Sequence, residues 1–180
     1  MRDALTRVDE GHITDRFVGA NDISSSIIHR MSAYLTQKRG NRPMAAREDI
    51  DPAELRDILP HIVLVDIRTN PLSVYYRLVG TRIVEFYGEF SRTWMHDRPM
   101  SDAYKRVAEN IYTTLVETKC PVFGVTEMRT RFDSVVSYEW GYFPLSSNGE
   151  TVTGGLEIES PERRVIGIQP GAVETFVRGC

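Results

Sequence analysis

Apolar residues recur at helical spacing early in the chain. Ile23, Ile27, Ile28, Met31, Tyr34 and Leu35 form one stripe, with Asn21 or Asp22 as cap and Gly40 and Pro43 after its end. The pattern predicts an amphipathic helix over residues 22–39, about five turns long. "DPAELRDILP" then offers a cap at Asp51, proline at the first helical position, Glu54 reaching back and Pro60 as a stop, so a second, short helix is expected. From residue 61 the period changes. "HIVLVDI" is a nearly continuous branched apolar run, "NP" supplies a turn, and "SVYYRLV" follows, which reads as an antiparallel hairpin.

The stretch "YYRLVGTRIVEFYG", residues 75–88, starts as that second strand, passes Gly80 and ends with helical spacing of Ile83, Phe86 and Tyr87. An irregular stretch through Trp94 and Pro99 leads to a longer helix capped by Ser101 or Asp102. Its apolar face is Tyr104, Val107, Ala108, Ile111, Tyr112 and Leu115. Three strand-like runs complete the pattern: "VFGVTEMRTRF", "VVSYEWGYFPLS" and "TVTGGLEIES", with "SNGE" as a hairpin signal between the last two. In the middle run Val136, Tyr138, Trp140 and Tyr142 share one face, while Val135, Ser137, Glu139, Gly141 and Phe143 share the other. Both faces carry apolar groups, so the sheet needs cover on each side: the first helix for one, the cluster of short helices for the other. Residues 1–20 are polar and unpatterned and are expected as a flexible arm, 21–160 as one domain with its N-terminal helix, and 161–180 as a tail.

Composition narrows the chemistry. At 180 residues the chain can bury one sizeable core, and a net charge of -3 gives no electrostatic reason for a nucleic-acid or anionic-membrane partner. No apolar run reaches the roughly 20 residues of a membrane span, and the start lacks the apolar segment of a signal peptide, so a cytoplasmic protein is expected. Cys120 and Cys180 show neither CxxC nor metal spacing and fit a reducing compartment, as a half-buried packing thiol and a tail residue. His12, His29, His61 and His96 are far apart, without ligand spacing, and GxSxG, HExxH and phosphate-binding glycine loops are absent.

Two strands, a group of short helices ending in a longer one, then three antiparallel strands is the order of a PAS domain, and the chain resembles one. "RPMAAREDIDPAELRDILPHIVLVDI", "YYRLVGTRIVEFYG" and "YFPLSSNGETVTGGLEI" look like the stand-alone PAS family common in alphaproteobacteria, formerly a domain of unknown function. The resemblance covers about residues 25–160. It implies an α+β fold with a five-stranded antiparallel sheet, short helices over one face, an N-terminal amphipathic helix and a space beneath the short helices. The helix after Gly80 would then wall a pocket, with Gly80 easing the change of direction, or cap a solid core; both readings stay open.

The resemblance also implies a non-catalytic sensory or protein-interaction module in bacterial signalling, with signalling proteins as partners and a small apolar ligand as one option. Phe86, Tyr87, Trp94, Val107, Ile111 and Phe123 are the candidates to line its pocket. The cofactor, if any, is unknown: the helix before the third strand lacks the axial histidine of well-known haem PAS domains, and the short helices lack the cysteine of flavin photoreceptors. Asp66, Glu127, Glu139 and Glu157 lie on strands, where surface cross-strand pairing is the expectation and a buried general base the exception. The alternatives are a small α+β enzyme of the ketosteroid-isomerase type, which would need a buried carboxylate or tyrosine pair, and a ligand-free scaffold. Finally, the stripe Ile23, Ile27, Ile28, Met31, Tyr34 and Leu35 either folds back on its own sheet or pairs with the same helix of a second copy; a homodimer through it is expected.

Overall fold

The computed structural model describes residues 8–130, 135–160, 162 and 164–166. Its strands are β1 (Val8–Val18), β2 (Ile62–Thr69), β3 (Leu72–Val79), β4 (Thr93–Trp94), β5 (Val122–Thr130), β6 (Val135–Leu145), β7 (Gly154–Glu159) and β8 (Arg164–Ile166). The helices are α1 (Ser26–Arg39), α2 (Thr81–Tyr87) and α3 (Asp102–Thr118). The strands form one antiparallel sheet in the order β1-β5-β6-β7-β2-β3-β4, and β8 pairs with β6 beyond the end of β7. Among the described residues the sheet thus has eight strands rather than five. The five expected strands are β2, β3, β5, β6 and β7.

The additions have physical reasons. β1 lies within the segment expected as a flexible arm, and it pairs with β5 from Val18↔Phe123 to Thr14↔Glu127. Main-chain hydrogen bonds alone can close a sheet edge in this way, so a largely polar segment gives no alternation to read. β4 is two residues on the far edge, and β8 falls in the segment expected as tail. The rest of the tail, with Cys180, lies outside the described residues. Cys120, half-buried after α3, holds no free thiol, in contrast to the packing thiol expected.

The short helix expected over "DPAELRDILP" is two separate 3-10 turns, Pro52–Leu55 and Leu59–His61, with Asp51 accepting from the Ala53 N–H at 2.8 Å. Ser101 caps α3 by accepting from the Tyr104 N–H, and Lys119 ends it in the left-handed conformation. Gly80 begins α2, but its φ of −65° is one any residue adopts. Glycine is needed there because a Cβ would stand 2.3 Å from the Pro60 carbonyl oxygen. The reason is close approach of two backbone segments, not freedom of direction.

Two hydrophobic clusters sandwich the sheet. α1 covers one face, where Ile28, Met31 and Leu35 meet Phe143, Leu145, Leu156 and Ile158. α3 covers the other, where Ala108, Ile111, Tyr112 and Leu115 meet Val63, Val65, Trp140 and Tyr142. The stripe expected at a dimer contact is therefore used within the chain. Ile23, Ile28, Met31 and Leu35 are buried against their own sheet, Ile27 and Tyr34 are half-buried on the same cluster, and the Tyr34 hydroxyl accepts from the Asp51 N–H at 2.8 Å.

Candidate functional site

The α3 face is where polar groups are buried. β7 alternates Gly155, Glu157 and Glu159 toward α3 with Leu156 and Ile158 toward α1. Register then places Tyr142 beside Glu157 and Trp140 beside Glu159. From β5 and β1, Thr126 and Asp15 join the same face as direct partners, with Tyr138 opposite Thr126. α3 lies across them with Tyr104, Val107, Ala108 and Ile111, and a cavity of about 20 Å³ remains between helix and sheet. That is room for one water molecule.

The lining is tied together by hydrogen bonds. The Trp140 indole N–H donates to the Thr126 hydroxyl at 2.8 Å, and that hydroxyl donates to Asp15. The Tyr138 hydroxyl is 2.5 Å from that of Tyr87, so α2 reaches the cavity wall through one side chain. Rings continue the wall edge to face: Phe17 on Trp140, Trp140 on Tyr142 and Tyr142 on Tyr112, with centroids 5.3–5.8 Å apart. Gly124 makes this possible, because a Cβ there would stand 2.1 Å from the Trp140 ring. The Tyr112 hydroxyl is buried beside that of Tyr76.

Burial governs the electrostatics. It raises Glu157 to about 8, with repulsion from Glu159 adding to it, against a hydrogen bond from Tyr142 and the nearby Arg98 guanidinium. A carboxyl so placed holds its proton at neutral pH. Burial also raises Asp15, against the hydrogen bonds from Thr126 and Trp140. The hydroxyls of Tyr104, Tyr112, Tyr138 and Tyr142 are pushed well above the ordinary tyrosine range, first by burial and then by one another and the carboxylates. Arg98 lies 3.5 Å from the Phe90 ring centroid and 5.2 Å from that of Tyr76. Among the described residues no three His, Cys, Asp or Glu side chains converge on a metal site, and no helix is long and apolar enough to cross a membrane.

Of the six pocket candidates, Val107 and Ile111 line the cavity and Tyr87 bonds to a residue that does. Phe86 is half-buried beside Tyr87, outside the lining. Trp94 stacks on His96 near Tyr75 and Arg68 at the sheet edge. Phe123 packs on Phe143 under α1, on the opposite face. The residues that sequence reasoning did not assign to a pocket are Asp15, Tyr104, Thr126, Tyr138, Trp140, Tyr142 and Glu159, while Glu157, expected in surface cross-strand pairing, is buried and lines the cavity. A usable signal existed in the two-residue period of "GGLEIES", which puts both glutamates on one face of a strand bounded by apolar runs. Glu139, expected in surface pairing, instead accepts from the N–H groups of Ser24 and Ser25 at the start of α1.

A five-strand antiparallel core with short helices and one longer helix enclosing a cavity over one face is the architecture of a sensory PAS fold. The family model for the PAS domain matches residues 23–156, and the chain belongs to this family. PAS domains are sensory or interaction modules, generally without catalysis of their own. No curated protein matches the chain.

Proposed function

We propose that this PAS domain is a small-molecule-responsive module in bacterial signalling, taking its ligand between α3 and the sheet. The observation that carries the reading is the polar lining of that space: Glu157, Glu159 and Thr126 are buried where a core built only for packing would hold apolar groups. Thr126 is already bonded to Trp140 and Asp15 and Glu157 to Tyr142, so a ligand entering this space would exchange those bonds for its own. The small apolar ligand expected from the sequence fits this lining less well than a polar one. Because the cavity has room for one water molecule, a larger molecule requires α3 to move away from the sheet. A ligand that binds the moved arrangement more tightly shifts the population toward it, and the displaced helix is what a signalling partner would meet.

Native mass spectrometry of freshly purified protein, with hydrogen exchange of the α3 amides before and after ligand removal, tests this. A retained small molecule whose loss speeds exchange in α3 supports it. No retained mass, and no change in α3 exchange with any member of a metabolite library, would leave a ligand-free interaction scaffold instead.

One observation favours a second reading, a proton-transfer enzyme. Glu157, buried, hydrogen-bonded by Tyr142 and raised to about 8, would serve as a general acid at neutral pH and as a general base above about pH 8. Deuterium exchange into the α-position of a small cyclic ketone, abolished by Glu157→Gln, would establish that activity. No exchange would leave the binding module.

A further inference from the structure

We infer that Cys120 and Cys180 form an oxidation-made clasp that ties the segment after β8 to the junction of α3 and β5, a modification site independent of the ligand reading proposed above. Cys120 is disulfide-bonded, and no cysteine among the described residues is free. The sequence holds two cysteines, so the one sulfur within it that completes the bond is that of Cys180. Neither CxxC nor metal spacing relates the two, which leaves a long-range link as the chemistry open to the pair.

The span is within reach of the chain. β8 ends at Ile166, which lies opposite Val135, and Val135 lies opposite Arg129 of β5. Cys120 precedes Arg129 by about 30 Å along the strand direction. Residues 167–180 cover at most about 46–50 Å when extended, so Cys180 can return to Cys120 with length left for a turn. The bond then closes a loop that encloses β5, β6, β7 and β8. Closed, it anchors the C-terminal end of α3, the helix over the cavity; open, that end is held by its own contacts alone.

The place of Cys120 suits exchange better than packing. Lys119 ends α3 in the left-handed conformation, and Cys120 follows half-buried, its N–H donating to the Thr118 hydroxyl at 3.3 Å. A sulfur at this exposure is open to a small oxidant or thiol. The C-terminus of α3 is the negative end of its dipole and disfavours the thiolate that reduction would release, so the pair leans toward the disulfide. In a reducing compartment, the location expected from the sequence, such a pair opens and closes with redox state and is no permanent staple. A hydroperoxide closes it. The oxygen–oxygen bond breaks and the sulfur–sulfur bond forms, two electrons pass from sulfur to the peroxide, and the two thiol protons leave on its oxygens as one alcohol and one water.

Peptide mapping and thiol counting of the full chain test the clasp. After hydrogen peroxide treatment and removal of the excess, wild type should take up no iodoacetamide, weigh two hydrogens less than the reduced protein and yield a tryptic pair in which residues 120–129 are joined to residues 179–180. Dithiothreitol should separate the pair and expose both thiols. Closed wild type should melt at least about 5 °C above Cys180→Ser, and the difference should vanish in dithiothreitol. Amides in the last turn of α3 should exchange at least about fivefold more slowly in the closed form. Cys120→Ser should match Cys180→Ser in both readouts. Sulfurs left free or over-oxidised without the cross-link, a disulfide between two chains on a non-reducing gel, or equal melting and exchange in wild type and Cys180→Ser would each overturn the assignment.

Discussion

β7 sends Leu156 and Ile158 to one side of the sheet and Glu157 and Glu159 to the other, and all four side chains are buried. On the α1 side the strand meets Ile28, Met31, Leu35 and Phe143, a contact made of apolar surface that stabilises in proportion to the area removed from water. On the α3 side it meets tyrosines, a tryptophan, a threonine and a third carboxyl around a water-sized gap. One strand therefore takes part in two different kinds of interior. The first holds the fold together at little electrostatic cost. The second carries groups whose desolvation opposes folding, which a domain can tolerate because the first face supplies stability independently.

The largest effect should follow from opening the apolar face. Phe143 is 2% exposed and packs edge to face on Phe123 at 5.6 Å. Phe143→Ala should cost about 3–5 kcal/mol in urea unfolding. A loss under about 1 kcal/mol would mean that α1 does not seal this side, and the contrast between the faces would collapse.

On the polar face, removing a charge should do the reverse. Glu157 holds its proton up to about pH 8, above the ordinary carboxyl value of 4.5. The native state thus binds a proton that the unfolded chain releases. The stability linked to this group is complete below about pH 4.5, declines as pH rises to about 8 and then stays level. Glu157→Gln remains neutral and escapes that decline. Its unfolding midpoint should match wild type near pH 4.5 and exceed it increasingly toward pH 9. Parallel pH profiles for the two proteins would show that the carboxyl is solvated.

How far all this could be read from the chain follows the same division. Strands β2, β3, β5, β6 and β7, helix α2 and the Ser101 cap of α3 were legible, because apolar spacing and local capping specify them. β1 was not, since an edge strand paired through its backbone needs no apolar alternation. The cavity was half legible. Val107 and Ile111 follow from helical spacing, but Glu157 and Glu159 read as surface residues until the burial of both sheet faces is known. Phe123 and Trp94 were assigned to the pocket by their aromatic character, whereas strand parity sends Phe123 to the α1 side and pairing with β3 holds Trp94 at the edge.

A smaller effect should come from the floor of the cavity. Gly124 admits the Trp140 ring, and the methyl group of Gly124→Ala would stand 2.1 Å from it. The ring must shift, at about 1–3 kcal/mol. Its hydrogen bond to Thr126 would be disturbed with it, so the indole N–H resonance should move and Asp15 should lose part of its hydrogen bonding. An unchanged indole signal would show that the wall has slack the geometry does not reveal.

The smallest predicted effect tests whether the two faces are independent. α1 begins at Ser26, and its N-cap Ser25 makes no side-chain capping bond of its own. The capping comes from across the fold: the Glu139 carboxylate accepts from the Ser24 N–H at 2.9 Å, the Ser25 N–H at 2.7 Å and the Ser24 hydroxyl at 2.7 Å. A carboxylate here satisfies donors at the helix start and complements the positive end of the helix. Glu139→Ala should therefore cost about 1–2 kcal/mol, and Glu139→Gln, which keeps one acceptor oxygen, about half of that. Hydrogen exchange locates the loss. Amides in the first turn of α1 should exchange faster, while those of α3 keep their wild-type rates, because Glu139 points away from the cavity. If α3 loosens as much as α1, the cap on one face is coupled to the helix over the other, and a displacement of α3 would also be felt where α1 meets solvent.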